Sequence, residues 1–271
     1  YKRGRTPNPD IMCNQEIKFN LFLETALGDG AGLIATGHYA RIVYNSGNSK
    51  FQIPNSKFQM HMAVDTLKDQ TYFLYRISEE ALSKTLFPIG DFKTKAAVRQ
   101  RAKKFGLATA DKKDSQGICF VGKVGIKDFL NQYVEITPGD IIDTATEKII
   151  GQHDGAIFYT LGQRHGLDVG GGLPYYVVGK DMAKNEVYVT TDLNNQTFWQ
   201  KNIALKDIHW IAGSPAKNTA LCVRLRHRGP LIECQLNGAN LTLSQPQRAI
   251  VAGQSAVFYS DEQCLGGGII S

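Results

Sequence analysis

Hydrophobic positions in the first hundred residues follow two spacings, which together predict a mixed α/β region. Residues 15–27 carry apolar side chains near helical spacing before a glycine stop, which predicts a helix. The short apolar run Leu33–Thr36 predicts a buried strand. Ser78 and Thr94 have the chemistry of helix N-caps, and the second of these helices is expected to bury an apolar stripe and to end at Gly106.

From Phe120 onward the pattern changes to short alternating segments separated by glycine and asparagine. One helix is expected over Ile126–Val134, followed by a hairpin whose arms are Tyr175–Val178 and Glu186–Val189. Four more alternating segments recur at the spacing of barrel strands: Ala220–Leu225, Leu231–Leu236, Asn240–Leu243 and Ser255–Tyr259. We therefore predict an α/β region over 1–121, a small mixed domain over 122–198 and a C-terminal β-barrel over 199–271.

The composition is that of an ordinary globular protein: 271 residues, of which 42% are hydrophobic and 21% charged. The balance of 31 basic against 25 acidic residues gives a net charge of +6, which permits an anionic partner without proving one. Five cysteines are too few for a disulfide scaffold and fit a reducing compartment. No apolar run approaches the roughly 18 residues of a membrane span. We therefore expect a cytoplasmic protein with no membrane partner.

Two cysteines lie in settings that suit a reactive thiol. Asp10 stands three residues before Cys13, ahead of the predicted helix, whose N-terminus would stabilise a thiolate. Asp10 would oppose that effect electrostatically, so its expected job is proton transfer on a substrate. Cys119 follows Gly117 in a polar, turn-rich stretch. A lone cysteine is more often a small buried hydrophobe, and that alternative stays open for both thiols.

The cysteines are not spaced for a metal or for a local redox motif. Cys13 and Cys119 are 119 − 13 = 106 residues apart, which excludes a C-x-x-C pair. No zinc spacing exists elsewhere in the sequence, so no metal site is predicted. Cys222, Cys234 and Cys264 alternate with apolar residues in predicted strands and are interpreted as structural.

His38 follows a predicted strand, where α/β sheets place their ligand crevice, although a lone histidine is more often structural. A cysteine hydrolase that uses Cys13 and His38 is a weaker hypothesis, because nothing marks an oxyanion hole or a third orienting group. Farther along, a group of mainly basic side chains could meet phosphates or single-stranded bases. Its members are Lys68, Gln163, Arg164, His165, Arg224, Arg226, His227 and Arg228.

Several short sequence motifs are more informative than the pattern of hydrophobic and polar residues. They run in order along nearly the whole chain: Thr6–Asn14, Ala35–Ala40, Lys68–Leu74, Asp114–Phe120, Thr160–Arg164, Gly253–Val257 and Cys264–Gly268. These strings closely resemble the tRNA-specific 2-thiouridylase family. The resemblance implies that the α/β region is part of a PP-loop, adenine-nucleotide α-hydrolase-like sheet.

The resemblance also implies an activity, because members of this family replace the C2 oxygen of the wobble uridine of certain tRNAs by sulfur. ATP, with Mg2+, adenylates that oxygen and so makes it a good leaving group. A persulfide on the cysteine that matches Cys119 delivers the sulfur, and Cys13 then acts as the paired nucleophile, which leaves a Cys13–Cys119 disulfide. Two distant thiols make chemical sense here, since a persulfide needs a second thiolate to break its S–S bond. The implied partners are the anticodon stem-loop of tRNA and a protein that donates persulfide sulfur.

Residue roles follow from the same resemblance. Asn8, Pro9 and Asp10 match the segment that contacts the target base, with Asp10 as the acid or base, and Gly37 matches a nucleotide-contacting position. The positions that match tRNA contacts are His38, Lys68, Asp69, Gln70, Arg226, His227 and Gln254.

The family's ATP loop, of the form Ser-Gly-Gly-x-Asp-Ser, does not occur in the sequence. We expect it to precede Tyr1 in a parent protein, which would carry the enzyme activity while this chain alone is inactive. The alternative function is a tRNA-binding module whose thiols do not turn over.

Overall fold

The computed structural model describes residues 4–44, 57–112, 132–134, 137–167, 169–170, 172–195, 198–217 and 219–271. Its helices are α1 (Pro9–Met12), a π-helix (Cys13–Leu21), α2 (Phe22–Gly28), α3 (Thr71–Leu74), α4 (Glu79–Ser83), α5 (Lys95–Lys104) and a 3-10 turn (Ala156–Phe158). Its strands are β1 (Ile34–Ala35), β2 (Ala40–Tyr44), β3 (Phe58–Met62), β4 (Thr85–Leu86), β5 (Gly139–Asp143), β6 (Ile149–His153), β7 (Tyr176–Asp181), β8 (Glu186–Thr190), β9 (Trp199–Trp210), β10 (Leu221–Arg224), β11 (Ile232–Asn237), β12 (Asn240–Arg248), β13 (Ser255–Ser260) and β14 (Gln263–Ile270). Within these ranges no helix has the length and apolar character needed to cross a membrane.

The C-terminal strands close into the predicted β-barrel. Six antiparallel strands follow the order β13-β10-β11-β12-β9-β14, and β14 pairs back onto β13 to close the ring. Its interior is a cluster of buried apolar side chains: Ile203, Leu205, Val223, Ile232, Leu241, Leu243, Ile250, Ala256, Phe258, Leu265 and Ile270. The predicted barrel strands are confirmed, and the long strand β9 is one that the alternating pattern did not reveal.

Two barrel strands are buried on both faces, because the N-terminal region packs against the outside of the barrel. Every residue of β13 is buried. Ala256 and Phe258 fill the barrel, whereas Val257 and Tyr259 belong to the core of the N-terminal region. The hairpin of β2 and β3 also extends the barrel sheet, since β3 pairs with β14. The α/β region and the barrel therefore share one eight-stranded sheet.

The helix predicted in the N-terminal region is confirmed, but it starts earlier than predicted. The helix begins at Pro9, six residues earlier than expected, because Asn8 caps it. The strand predicted at Leu33–Thr36 is β1, which pairs in parallel with β4. Ser78 caps α4 through a bond from the Ala81 N–H to its hydroxyl. The N-terminal region is therefore α/β, with helices packed beside the short parallel strands β1 and β4.

Helix α5 has the predicted caps but not the predicted buried stripe. The hydroxyl of Thr94 accepts from the Ala97 N–H, and Gly106 ends the helix with φ +65°. Bonds from Leu107 N to Ala102 O and from Gly106 N to Lys103 O form a Schellman motif. No residue of α5 is buried, and Phe105 is 66% exposed. The expectation that this helix buries an apolar stripe is therefore wrong.

The central region holds a separate four-stranded sheet in the order β6-β5-β8-β7. The hairpin predicted across Tyr175–Val189 is confirmed as β7 and β8. Apolar side chains of this sheet and of the segment between β6 and β7 form its core: Ile141, Ala156, Tyr159, Leu167, Val177, Val187 and Val189. The helix predicted over Ile126–Val134 lies almost wholly outside the described residues.

Candidate functional site

The segment Asn8-Pro9-Asp10 forms the rigid first turn of a helix. The side-chain oxygen of Asn8 accepts from the N–H groups of Asp10 (3.1 Å) and Ile11 (3.4 Å). Pro9 presets the backbone for the first helical position, and the side chain of Ile11 is buried. Asp10 lies where the helix dipole favours a carboxylate. These contacts give the predicted base-contact segment a fixed conformation.

The barrel holds the chain just before this turn. The Thr6 N–H donates to the Ala252 carbonyl (2.9 Å), and the Gln254 side-chain amide donates to the Thr6 carbonyl (2.7 Å). Gly253, at φ +91°, allows the close approach, since a Cβ there would lie 3.0 Å from the Thr6 nitrogen. The hydroxyl of Thr160, from the central region, is 3.4 Å from that of Thr6. All three regions of the protein therefore meet at Thr6.

Cys13 lies one turn inside the helix rather than ahead of it. Its N–H already donates to the carbonyls of Pro9 and Asp10, so it is not among the N–H groups that the helix start leaves unpaired. The expectation that Cys13 lies ahead of the helix is therefore wrong, and the dipole effect at its position is weaker than expected, because that effect falls off within the first turn. Cys13 is half-buried and begins the π-helix, which ends in a bond from the Phe22 N–H to the Ile17 carbonyl. Such π segments are rare in proteins, and those that occur are often found at functional sites.

A chain of polar contacts runs from the residue after Cys13 to the loop after β1. Buried Asn14 donates its amide to the Phe73 carbonyl (3.0 Å) and accepts from the Lys18 ammonium (2.9 Å). Lys18 Nζ also lies 3.4 Å from His38 Nε2, and His38 Nδ1 lies 2.9 Å from the Thr36 hydroxyl. Since an ammonium only donates, Nε2 is the acceptor and Nδ1 carries the proton.

His38 is therefore a neutral, structurally engaged imidazole. Its ring packs beside Phe19 and Phe87, at centroid distances of 5.7 and 6.2 Å. Burial and, next, the Lys18 ammonium lower the pKa of His38 to about 4. Both ring nitrogens are engaged by Lys18 and Thr36, which leaves neither for a thiol–imidazole pair. The geometry argues against the cysteine hydrolase hypothesis.

The loop after β1 is clamped by Gln70. The Tyr39 N–H donates to the Gln70 side-chain oxygen, and the Gln70 N–H donates to the Tyr39 carbonyl, both at 2.9 Å. This clamp holds Gly37 and His38 at the carboxyl end of β1, the edge where α/β sheets bind ligands. No atom of the described residues lies within 4 Å of the position of a Cβ on Gly37, so the described part of the chain leaves space around it.

Asp69 is buried with its carboxylate fully engaged. It accepts from the Ala63 N–H (3.1 Å), from the Thr71 hydroxyl (2.8 Å) and from the Arg224 guanidinium (2.9 Å). Arg224, at the end of β10, also lies over the ring of Tyr259 at 5.1 Å. The suggestion that Arg224 meets phosphates is therefore wrong, because its guanidinium is buried and paired. Any contribution of Asp69 to tRNA contact is indirect in this geometry.

The turn after Arg224 is exposed at Arg226 and Arg228, in contrast to the buried Asp69–Arg224 pair. Arg226 is exposed, and the His227 ring packs on Phe73 at a centroid distance of 4.5 Å. Burial, with the cations of Arg228 and Arg224, lowers the pKa of His227 against a weaker opposing effect of Asp69. Phe73 thus joins this barrel turn to Asn14, the neighbour of Cys13.

The structure brings most predicted site residues into one neighbourhood, drawn from separate parts of the chain: Asn8–Cys13, Gly37–His38, Lys68–Gln70, Arg226–His227 and Gln254. Cys119 lies outside the described residues, so its position relative to Cys13 stays a prediction. Sequence reasoning did not assign roles to Asn14 and Lys18, although their four-residue spacing on a predicted helix indicates contact. No local signal marked Thr6.

The remaining cysteines behave as predicted for structural residues. Burial raises the pKa of Cys234 to about 12 and raises those of Cys222 and Cys264 as well. A thiol that stays protonated is a poor nucleophile. The described barrel cysteines are therefore poor candidates for the reactive role.

Three family models match consecutive parts of the chain. Residues 1–123 match a model described as the tRNA methyl transferase HUP domain, and residues 127–191 match one described as the tRNA methyl transferase PRC-barrel domain. Residues 200–270 match one described as the aminomethyltransferase beta-barrel domain.

Curated relatives align with the whole chain. The chain is 44% identical over 277 aligned positions to tRNA-specific 2-thiouridylase MnmA 2 of Geobacillus kaustophilus (strain HTA426). It is 43% identical over 277 positions to the proteins named tRNA-specific 2-thiouridylase MnmA from Bacillus thuringiensis (strain Al Hakam) and Bacillus anthracis. Each alignment covers 100% of this chain and 72% of the relative.

Proposed function

The chain belongs to the tRNA-specific 2-thiouridylase family, and from this premise we propose that it carries the thiols and the tRNA-binding surface of a uridine 2-sulfurtransferase. The observation that carries the proposal is the neighbourhood just described. A rigid Asn8–Asp10 turn, Cys13 and an exposed Arg226 lie around one joint between the α/β region and the barrel. The substrate is the wobble uridine of tRNA, presented on its anticodon stem-loop.

The proposed reaction exchanges one oxygen for one sulfur. ATP, with Mg2+, supplies the adenylate that turns the C2 oxygen of uridine into a leaving group. The terminal sulfur of a Cys119 persulfide attacks C2 and displaces AMP, which leaves the base joined to Cys119 through a disulfide. The Cys13 thiolate then attacks the Cys119 sulfur, releasing 2-thiouridine and forming a Cys13–Cys119 disulfide. The delivered sulfur gains the two electrons that the two thiols lose, and two external thiols or one dithiol reduce the disulfide.

The described residues have distinct parts in this proposal. Asp10, fixed in the first turn, exchanges a proton with the base. Asn14 holds the π-helix against Phe73 of α3, Lys18 supports Asn14, and together they fix the direction in which Cys13 points. Lys68, Arg226 and His227 contact the tRNA, whereas buried Asp69 contributes by holding the segment between Lys68 and Gln70 in place. A donor protein carrying a persulfide reloads Cys119 after each cycle.

The nucleotide site is only partly represented. Gly37, in open space at the end of β1, fits the close approach of a nucleotide. The sequence contains no Ser-Gly-Gly-x-Asp-Ser string, so no residue here is assigned to the phosphates. The aligned relatives extend beyond this chain, which covers 72% of their length.

Mass spectrometry of tRNA nucleosides tests the proposal directly. Unmodified tRNA is incubated with the protein that contains this chain, ATP, Mg2+ and a persulfide donor. The expected product is 2-thiouridine, lost in Cys13→Ser and Cys119→Ser and retained in the matched control Cys222→Ser. A methylated nucleoside formed from a methyl donor, in place of the thiolated one, would overturn the proposal and favour the activity named in two of the family descriptions.

A second candidate function is a tRNA-binding module whose thiols do not turn over. This module would bind tRNA but give no 2-thiouridine under any of these conditions. Oxidation followed by peptide mapping separates the two further. A dominant Cys13–Cys119 cross-link supports the sulfur relay, whereas cross-links scattered among all five cysteines support the module.

A further inference from the structure

A cleft separates the central sheet from the barrel, and no role has been assigned to it. It consists of two adjoining cavities of about 300 and 420 Å³. Arg226 and Arg248 line both cavities, together with Ala249 and Ile250. The wall from the central region includes Tyr176 and Val178 of β7, and the barrel wall includes Trp199 at the start of β9.

The walls of the cleft are held in place by direct packing. A Cβ on Gly162, which has φ +83°, would lie 2.9 Å from the Ala249 Cβ, so the central turn lies directly on the barrel. The Trp199 indole N–H donates to the Leu193 carbonyl at 3.3 Å, which fixes the ring. Arg248 pairs with Trp199 across the two strands, and its guanidinium lies 5.7 Å from the ring centroid.

The chemistry of the lining suits a nucleotide. Among the described residues that line the two cavities there is no aspartate or glutamate to neutralise the two guanidinium groups. Planar guanidinium forks bind phosphate oxygens in pairs, and both aromatic rings and guanidinium planes stack on unpaired bases. The combined cavity lies within the roughly 300–1,000 Å³ typical of small-ligand sites.

The cleft also borders the candidate site. Arg226 is followed by His227, whose ring packs on Phe73, and the Phe73 carbonyl holds Asn14 beside Cys13. We propose that this cleft binds a second, unpaired nucleotide of the substrate tRNA, with its phosphate held by Arg226 and Arg248 and its base against Trp199. This inference rests on the proposed function and adds Arg248 and Trp199 to the RNA-binding residues.

The experiment measures the affinity of the protein for tRNA at several salt concentrations. Arg248→Ala is expected to lower the affinity about tenfold at low salt, the loss of one charged hydrogen-bonding contact. The slope of log affinity against log salt should become shallower by about 0.7–0.9, the value for one phosphate. Arg101→Ala is the matched control, because Arg101 lies over the Phe105 ring at the same 5.7 Å but on α5.

Fluorescence gives a second readout that does not depend on charge. This chain has two tryptophans, so Trp210→Phe leaves Trp199 as the one tryptophan within it, and the emission of Trp199 should change when tRNA binds. Unchanged melting temperatures would show that Arg248→Ala acts on binding and not on folding.

Two outcomes would overturn the cleft proposal alone: equal losses in Arg248→Ala and Arg101→Ala, or a normal Arg248→Ala affinity in a protein that still makes 2-thiouridine. A protein that fails to bind tRNA at all would overturn the proposed function with it.

Discussion

The barrel and the N-terminal helix are stabilised in different ways. Most neighbouring barrel strands are close in sequence, as in the β10–β11–β12 run and the β13–β14 hairpin, and their apolar faces enclose a common core. The helix that carries Cys13 buries Ile11, Phe19 and Leu23 in the N-terminal core, and polar contacts to distant residues also hold it. These contacts join Asn14 to Phe73, Lys18 to His38 and, through the chain before it, Thr6 to Gln254. Thr6 and Gln254 are 248 residues apart.

This difference indicates that the barrel and the helix contribute differently to stability and to the geometry of the site. Strand pairing and apolar burial stabilise the barrel, and the barrel provides the surface against which the site is assembled. Substitutions within the barrel core should therefore change the free energy of unfolding. Substitutions in the contacts around the helix should change local order first.

The largest effect is expected at the buried Asp69–Arg224 ion pair, which joins the N-terminal α/β region to the barrel. Asp69→Ala leaves the Arg224 guanidinium buried without its carboxylate, and removing one partner of such a pair costs about 3–5 kcal/mol. The matched control is Glu262→Ala, which breaks the Arg41–Glu262 pair between the same two regions at the surface. That change should cost about 0–1 kcal/mol. Urea unfolding measures both, and equal losses would contradict the distinction between a buried joint and an exposed one.

A glycine of the barrel and a glycine of the site provide the next comparison. A Cβ on Gly266, at φ +154°, would lie 2.2 Å from the His209 carbonyl oxygen, whereas one on Gly37 would meet no atom of the described residues within 4 Å. Gly266→Ala should therefore destabilise the protein by about 1–3 kcal/mol, the range for overpacking. Gly37→Ala should leave the unfolding free energy unchanged. A destabilising Gly37→Ala would show that the loop after β1 is tighter than its geometry indicates.

Much of the architecture could be predicted from the sequence where an element has a regular pattern of buried and exposed residues. The alternation in Leu231–Leu236 predicted a strand with one buried face, and β11 has that pattern. The nearly continuous apolar run Ser255–Tyr259 marked β13, which is buried on both faces because Val257 and Tyr259 leave the barrel for the neighbouring core. The caps at Ser78 and Thr94 were also readable, since each depends on one local side chain.

The site was less readable, because its geometry depends on contacts that no local pattern encodes. Helical periodicity began at Gln15, whereas the helix starts at Pro9 through the Asn8 cap. The π-helical hydrogen bonds at Cys13 leave no clear mark on the spacing of apolar residues. The burial of Arg224 depends on Asp69, 155 residues away, so charge counting treated a buried pair as part of a binding surface.

The pH dependence of stability tests the polar contacts around the helix. The folded pKa of His38 is about 4, below the ordinary 6.5, so the unfolded state binds the proton more tightly. The contribution of His38 is complete above pH 6.5 and declines as the pH falls toward 4, by about 2 kcal/mol at pH 5. His38→Gln should remove this part of the pH dependence. Exposed His165→Gln is the control, and an identical pH profile in the wild type and His38→Gln would contradict the buried, neutral imidazole.

The smallest effect is expected at the contact between Gln254 and Thr6. Gln254→Ala removes one hydrogen bond, worth about 1 kcal/mol, so global unfolding should barely change. The local effect should be larger, because that bond and the one from Thr6 to the Ala252 carbonyl hold the chain before Asn8. Tryptic cleavage after Arg5 and hydrogen exchange at the Thr6 amide should both become faster. The exposed Gln235→Ala on β11 is the matched control. Unchanged cleavage would mean that the Asn8–Asp10 turn keeps its place without the barrel, and the site would then be assembled by the helix alone.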